Sequence, residues 1–114
     1  MPRVEELTFA KLLADGKVYR APCLVFRTSV DGRWWRADGM AFSPEDFDAV
    51  VAAAPETVVL GVGVVNKVTV RKETLDRFAE ADIACEVLDS VAAAERFNAL
   101  FDAGRDVVGA FHLM

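Results

Sequence analysis

The residues that could do chemistry in this 114-residue chain are few and widely spaced: Gly61-Val62-Gly63, Asp89, Asn98, Arg105, two cysteines and one histidine. Two glycines one residue apart let a backbone approach a ligand closely and turn its amides outward. In an open α/β sheet, ligands sit beyond the carboxyl ends of parallel strands, which is where Gly61-Val62-Gly63 falls. The motif lacks the third glycine of a dinucleotide fingerprint, and no Gly-Lys-Ser/Thr follows to make a phosphate loop. A strand exit needing two residues without a Cβ explains the same pair, and the sequence favours that reading. Asp89 and Arg105 could form a pair flanking one pocket, although with no base beside them neither is a catalyst. Asn98 is a poor helix former in the middle of an apolar helix, so it is there for a side-chain contact. Either its amide satisfies backbone groups of the Gly61 or Asp89 loop, the preferred reading, or it holds a ligand.

His112 lacks the partners that a triad or a metal set would need, and a surface or interface position is expected of it. Cys23 and Cys85 are far apart, have no CxxC partner and are bracketed by strand-like residues, which points to buried, inert thiols. No catalytic residue, metal site or cofactor is therefore expected.

The elements that must position these residues follow from hydrophobic period. Before residue 42 there are short apolar runs, Val18-Tyr19, Leu24-Val25-Phe26 and Trp34-Trp35. They are separated by Asp15-Gly16, Asp31-Gly32 and Asp38-Gly39, hairpin signals because a type I′ turn needs positive φ at both central positions. Ser43-Pro44-Glu45-Asp46 reads as an N-cap, a proline at N1 and acids in the first turn of a helix over 44–53, with Phe47, Val50 and Val51 inward. Residues 57–62 form a β-branched run suited to a strand buried on both faces. A helix over 72–81 carries Leu75, Phe78 and Ala79, and a strand over 83–88 follows. Ser90 caps a helix over 90–103 with Phe97, Leu100 and Phe101 inward, and Gly104 ends it. A last strand spans 106–113. Three strands joined by two helices predict right-handed βαβαβ crossovers. The fold class is α/β: a mixed sheet packed with helices, plus an antiparallel N-terminal layer.

Length and the absence of any repeat or linker predict one domain over 1–114. A net charge of -5 opposes phosphate-backbone binding, so nucleic acid is not an expected ligand. No apolar run approaches the length of a membrane span, and the early acids Glu5 and Glu6 argue against a presequence; no membrane insertion and a cytoplasmic location are expected. Hydrophobic residues make up 54% of the chain, slightly above the usual range, which leans towards surface covered by a partner or a second copy in a homodimer. Trp34-Trp35 lies between Arg33 and Arg36. Adjacent strand residues face opposite ways, so one tryptophan should be buried and the other exposed, either as an interface hot spot or covered by a neighbouring loop or the N-terminal segment.

The stretch from PETVVLGVGVV to IACEVLDSVAAAERFNALFDAGR resembles the Mth938-like domain of unknown function, shared by a mitochondrial complex I assembly factor and an adipogenesis-associated protein. This chain looks like a diverged bacterial-type relative. Relatives usually read LGTG where Leu60-Gly61-Val62-Gly63 stands, and their Asp-Thr and Tyr-Asn steps match Asp89-Ser90 and Phe97-Asn98. They often carry a cysteine at Ala94, an arginine near Glu95, and Glu-Gly-Arg at Ala103-Gly104-Arg105. The resemblance implies the fold and, by analogy, a non-enzymatic accessory or assembly module binding a protein partner. The other reading is a domain binding an anion or apolar metabolite, or a diverged enzyme, that uses the loop 61–64 with Asn98 and Arg105. Val62, Ala94 and Phe97 make that region more apolar than in relatives, which favours the first reading or an apolar ligand.

Overall fold

The computed structural model describes residues 3–65 and 67–114. Its N-terminal layer is an antiparallel meander of β1 (Val4–Thr8), β2 (Lys11–Ala14) and β3 (Lys17–Tyr19). Between β2 and β3, Asp15 and Gly16 have φ of 52° and 76°, the conformation that the Asp-Gly signal predicts. The other two Asp-Gly pairs do not make hairpins. β4 (Cys23–Val25) pairs with β5 (Val30–Asp31), so Asp31 ends a strand and its carboxylate accepts from Arg33 N at 3.0 Å. Asp38 closes a single bridge to Ala41 and accepts from Met40 N at 2.8 Å.

Trp34-Trp35 is likewise not a strand. Trp34 is drawn out of extended pairing because its indole N–H donates to Asp46 O at 2.8 Å and its ring packs on Phe42 and Phe47, with centroids 5.2 and 5.4 Å away. β6 (Ala41–Phe42) leads into a 3-10 turn (Pro44–Phe47) and α1 (Asp48–Ala53), where the sequence suggested one helix. The Asp46 carboxylate accepts from Ser43 N and Ala37 N, both at 2.8 Å, and so satisfies the amide that opens the turn.

β7 (Thr57–Gly61), β8 (Thr69–Val70), α2 (Lys72–Glu80), β9 (Ala84–Leu88), α3 (Ser90–Asp102) and β10 (Val107–Phe111) complete the chain. The main sheet has the order β5-β4-β10-β7-β9, with β10, β7 and β9 mutually parallel and β4 and β5 antiparallel; β6 and β8 form a small parallel pair. The chain moves one strand outward from β7 to β9 and two strands back from β9 to β10. Two crossovers of one hand must then lie on opposite faces of the sheet. They do, because Phe78 of α2 joins Val58, Leu60, Val108 and Ala110 in one core, whereas Phe97 of α3 joins Val59, Val107 and Phe111 in the other. Alternate residues of β7 therefore feed two cores, which is why its sequence is a continuous apolar run.

Two helix assignments shift. On α2 the inward residues are Thr74 and Phe78, while Leu75 and Ala79 are exposed, because Thr74 Oγ1 is anchored on Phe42 O at 2.7 Å and turns the helix about that edge. On α3 the cap is Asp89, whose carboxylate accepts from Ala92 N at 2.9 Å, leaving Ser90 as a fully buried first residue. At the other end Gly104 N donates to Phe101 O and Arg105 N to Leu100 O, the paired bonds of a Schellman stop.

Candidate functional site

Beyond the carboxyl end of β7 the chain closes on itself. Val62 N donates to Leu88 O (2.9 Å), Gly63 N to Ser90 Oγ (2.9 Å) and Val65 N to Met114 O (3.1 Å). Ser90 N returns a bond to Gly63 O (3.0 Å), its hydroxyl donates to His112 O, and His112 N donates to Gly61 O (3.0 Å). The amides that a ligand would need are thus committed to α3 and to the segment after β10. The two glycines are required by that packing. A Cβ on Gly61 would stand 2.8 Å from Ser90 Oγ and 3.0 Å from Ser90 Cα. Gly63, at φ 119°, would place one 3.0 Å from Lys67 N, 3.2 Å from the Met114 carbonyl carbon and 3.3 Å from His112 Cδ2. Val62 lies between them, buried in the same core as Val68. The glycine pair is a strand exit, and the crevice expected there is filled by residues 112–114.

The other residues proposed for that pocket are dispersed. Asp89 and Arg105 stand at opposite ends of α3, a 13-residue helix about 20 Å long, and are not a pair. Arg105 bonds Glu56 instead, Nη2 to Oε2 at 3.0 Å, beside the amino ends of β7 and β10. The Arg105 hydrogen bond, helped by the Asp106 amide, holds the exposed Glu56 carboxyl below its usual range. Asn98 does not reach the Gly61 or Asp89 loop. Its Oδ1 accepts from Val4 N at 3.0 Å and its Nδ2 donates to Val4 O at 2.7 Å, so the amide pairs with β1 as another strand would. Beside it lies a groove of about 200 Å³ lined by Val4, Glu5, Glu6, Val91, Ala94 and Glu95. That volume is below the range of small-molecule pockets, and its carboxylates would repel an anion. A larger groove of about 650 Å³, lined by Asp38, Ser43, Glu45, Arg71 and Glu73, is broadly open to solvent.

What sequence reasoning missed is a junction of His112 and Arg36. His112 is buried, where a surface or interface position was expected of it; the signal was its place in the apolar run VVGAFHL. Arg36, half-buried beside Trp34 with its guanidinium 5.7 Å from that ring, donates from Nη1 to His112 Nδ1 at 3.1 Å. An accepting Nδ1 makes the ring neutral, with its proton on Nε2. Burial first, then Arg36 and Lys67, lower the His112 pKa from its ordinary value, and burial lowers that of Arg36 against the opposing pull of Asp46 and Asp38. The tryptophans divide: Trp34 is buried and Trp35 is 69% exposed. Cys23 is fully buried and its thiol is pushed up to about 12; Cys85 is half-buried and pushed up to about 11. Among the described residues no group of three or more His, Cys, Asp or Glu side chains could hold a metal ion.

Residues 4–112 match the family described as "Protein of unknown function (DUF498/DUF598)". The chain belongs to that family. Solved structures with the same fold include "MT938", 23% identical over 100% of this chain and 99% of that one, with a TM-score of 0.78. A conserved hypothetical protein from Pyrococcus horikoshii is 13% identical over 98% of each chain, with a TM-score of 0.85. A Bordetella pertussis protein described as a Mth938-like domain is 15% identical over 98% of this chain and 85% of that one, with a TM-score of 0.66. At these identities the likeness is one of fold. The Mth938-like architecture is thereby established, and no helix among the described residues is long and apolar enough to cross a membrane.

Three outcomes are expected of this DUF498 member. Asn98→Ala should destabilise by about 1–3 kcal/mol, since it orphans the buried Val4 amide and carbonyl, and a denaturation midpoint equal to wild type would exclude that. Gly63→Ala should cost a similar amount, about 1–3 kcal/mol, because it combines a positive φ with a crowded Cβ, again read from the midpoint. His112 has a folded pKa below its ordinary 6.5, so the unfolded chain binds its proton more readily. Its contribution is present above pH 6.5 and is lost as pH falls through the lower folded value. His112→Asn, whose amide oxygen can replace Nδ1 as acceptor, should flatten that part of the stability profile; an unchanged profile would show that another group carries it.

Proposed function

We propose that this chain is a non-enzymatic accessory or assembly module that docks a partner protein at the carboxyl end of its parallel strands. The observation that carries the reading is a set of large apolar side chains left in solvent around residues 112–114. Ala10 N donates to Leu113 O at 2.6 Å and Val65 N to Met114 O at 3.1 Å, so the backbone beside Phe9 and that of Val65 both lie against this segment. Trp35 precedes Arg36, whose guanidinium bonds the His112 ring. Phe9 is 59% exposed, Val65 61% and Met114 45%. Apolar side chains scattered singly on a surface need no explanation, whereas several converging on one segment mark an interaction site.

A tryptophan exposed beside arginines has the composition of an interface hot spot, and Trp35 stands between Trp34, which is rigidly packed, and Arg36, which is held by His112. A side chain on so fixed a backbone loses little freedom on binding, which favours affinity.

Trp35→Ser should weaken association with the partner, or with a second copy, while the unfolding midpoint of the isolated chain stays within about 0.5 kcal/mol of wild type. Sedimentation of both proteins and recovery of the partner on each would check it. Equal sedimentation and equal recovery would overturn the reading.

A further inference from the structure

Parallel pairing fixes which backbone groups of β9 face outward. Ala84 N donates to Glu56 O at 3.0 Å and Val62 N to Leu88 O at 2.9 Å, with β7 and β9 in unbroken register between them. Ala84, Glu86 and Leu88 therefore turn their backbone groups to β7, while Cys85 and Val87 turn theirs to the open side of the sheet, of which β9 is the last strand. That free run is closed at both ends, because Ile83 N is bonded to Phe78 O and Asp89 O accepts from Ala93 N. It holds two donors and two acceptors, placed symmetrically about Glu86.

The side chains alternate in the same order. Cys85 packs in the core of Phe78, and Val87, paired with Leu60, points to that same face; Glu86 points to α3, where Arg96 Nε and Nη2 hold its two carboxylate oxygens at 2.8 and 3.2 Å. Val87 is 44% exposed. Natural sheets guard such edges, and the other edges of this chain are guarded. β5, β6 and β8 have two residues each, β3 has three and carries Lys17, and β1 has a register shift after Val4, whose amide and carbonyl Asn98 occupies. β9 has five residues with no proline, lysine or shift, and Arg96 neutralises its one charge.

We infer that the β9 edge is the contact between two copies of this chain, which pair antiparallel about a two-fold axis at Glu86 and join their five-stranded sheets into one. This surface is distinct from the docking end, and the inference does not rest on that reading. In this register Cys85 of each copy exchanges both backbone bonds with Val87 of the other, so every free group of the edge is used. A symmetric register displaced either way would call on Ile83 or Asp89, each with a group already committed. Cys85 then lies across from Val87 on one face and Ala84 across from Leu88 on the other, apolar against apolar. Glu86 meets its own copy at the axis. Two bare carboxylates would repel there, but each arrives with its guanidinium, whose remaining Nη1 can serve the opposite carboxylate. An identical edge thus matches donor to acceptor and ion pair to ion pair, which is what an isologous interface requires.

The test is sedimentation over a range of concentrations, with amide exchange on the same samples. Wild type should form a dimer as concentration rises, and the Cys85 and Val87 amides should slow as it fills. Val87→Pro removes an outward N–H at an edge, where proline is tolerated, and should weaken the dimer at least tenfold. Glu86→Arg should weaken it as much by gathering cations at the axis, and adding Arg96→Glu should restore it. Trp35→Ser should leave it unchanged. A wild-type chain that stays monomeric throughout would overturn the inference. A dimer lost in Trp35→Ser and kept in Val87→Pro would overturn it and put the second copy at the docking end. Cys85 and Val87 amides that exchange equally fast in monomer and dimer would overturn it even if the variants do not fold. Protection of those amides only when a different protein binds would overturn self-pairing in favour of a foreign strand.

Discussion

The structure depends on the buried hydroxyl of Ser90. It accepts from Gly63 N and donates to His112 O, while the Ser90 amide bonds Gly63 O, so one side chain with no solvent exposure joins β7, α3 and the segment after β10. Hydrogen bonds in such a site are strong because no water competes for either partner, and costly to lose for the same reason. Gly61 lacks a Cβ because Ser90 is 2.8 Å from where one would be, and Gly63 takes a left-handed φ so that its amide and carbonyl both face the serine. The glycine motif is the negative imprint of the serine and the returning chain.

That knot explains how far the sequence could be read. Strand and helix order in the second half was legible because β7, β9 and β10 are apolar or alternating runs set between amphipathic helices, and a period survives whatever packs on it. Asp15-Gly16 was legible because its turn is decided by two residues alone. Asp31-Gly32 and Trp34-Trp35 were not, since their conformation is set by tertiary partners: Asp46 O draws in the Trp34 indole from twelve residues away. Asp89 took the cap expected of Ser90 for the same reason. Either can cap a helix, and only the demand of Gly63 for a buried acceptor decides which residue turns inward.

The candidate site failed as a constellation although several of its members have defined tasks. Adjacency in a βαβ unit was inferred from order along the chain, but a 13-residue helix separates Asp89 from Arg105 by its whole length. Asn98 was correctly singled out as a helix residue with a side-chain task. Its partner, Val4, is 94 residues away, on a strand whose docking against α3 no local pattern encodes. The junction of Arg36 with His112 spans 76 residues and was hidden by the common expectation that a lone histidine near an end lies on the surface.

The two ends of the parallel strands now differ in a way that bears on function. At the amino end Glu56 and Arg105 are exposed and paired, and the Glu56 carboxylate also takes the Asp106 amide. Such a surface is electrostatically complete and gains little from a partner. At the carboxyl end Arg36 donates to His112 Nδ1, and Trp35, Val65 and Met114 are exposed. Open α/β sheets place ligand sites at this end because loops diverge there and leave a crevice. Here Ser90 draws the returning chain into the crevice and closes it.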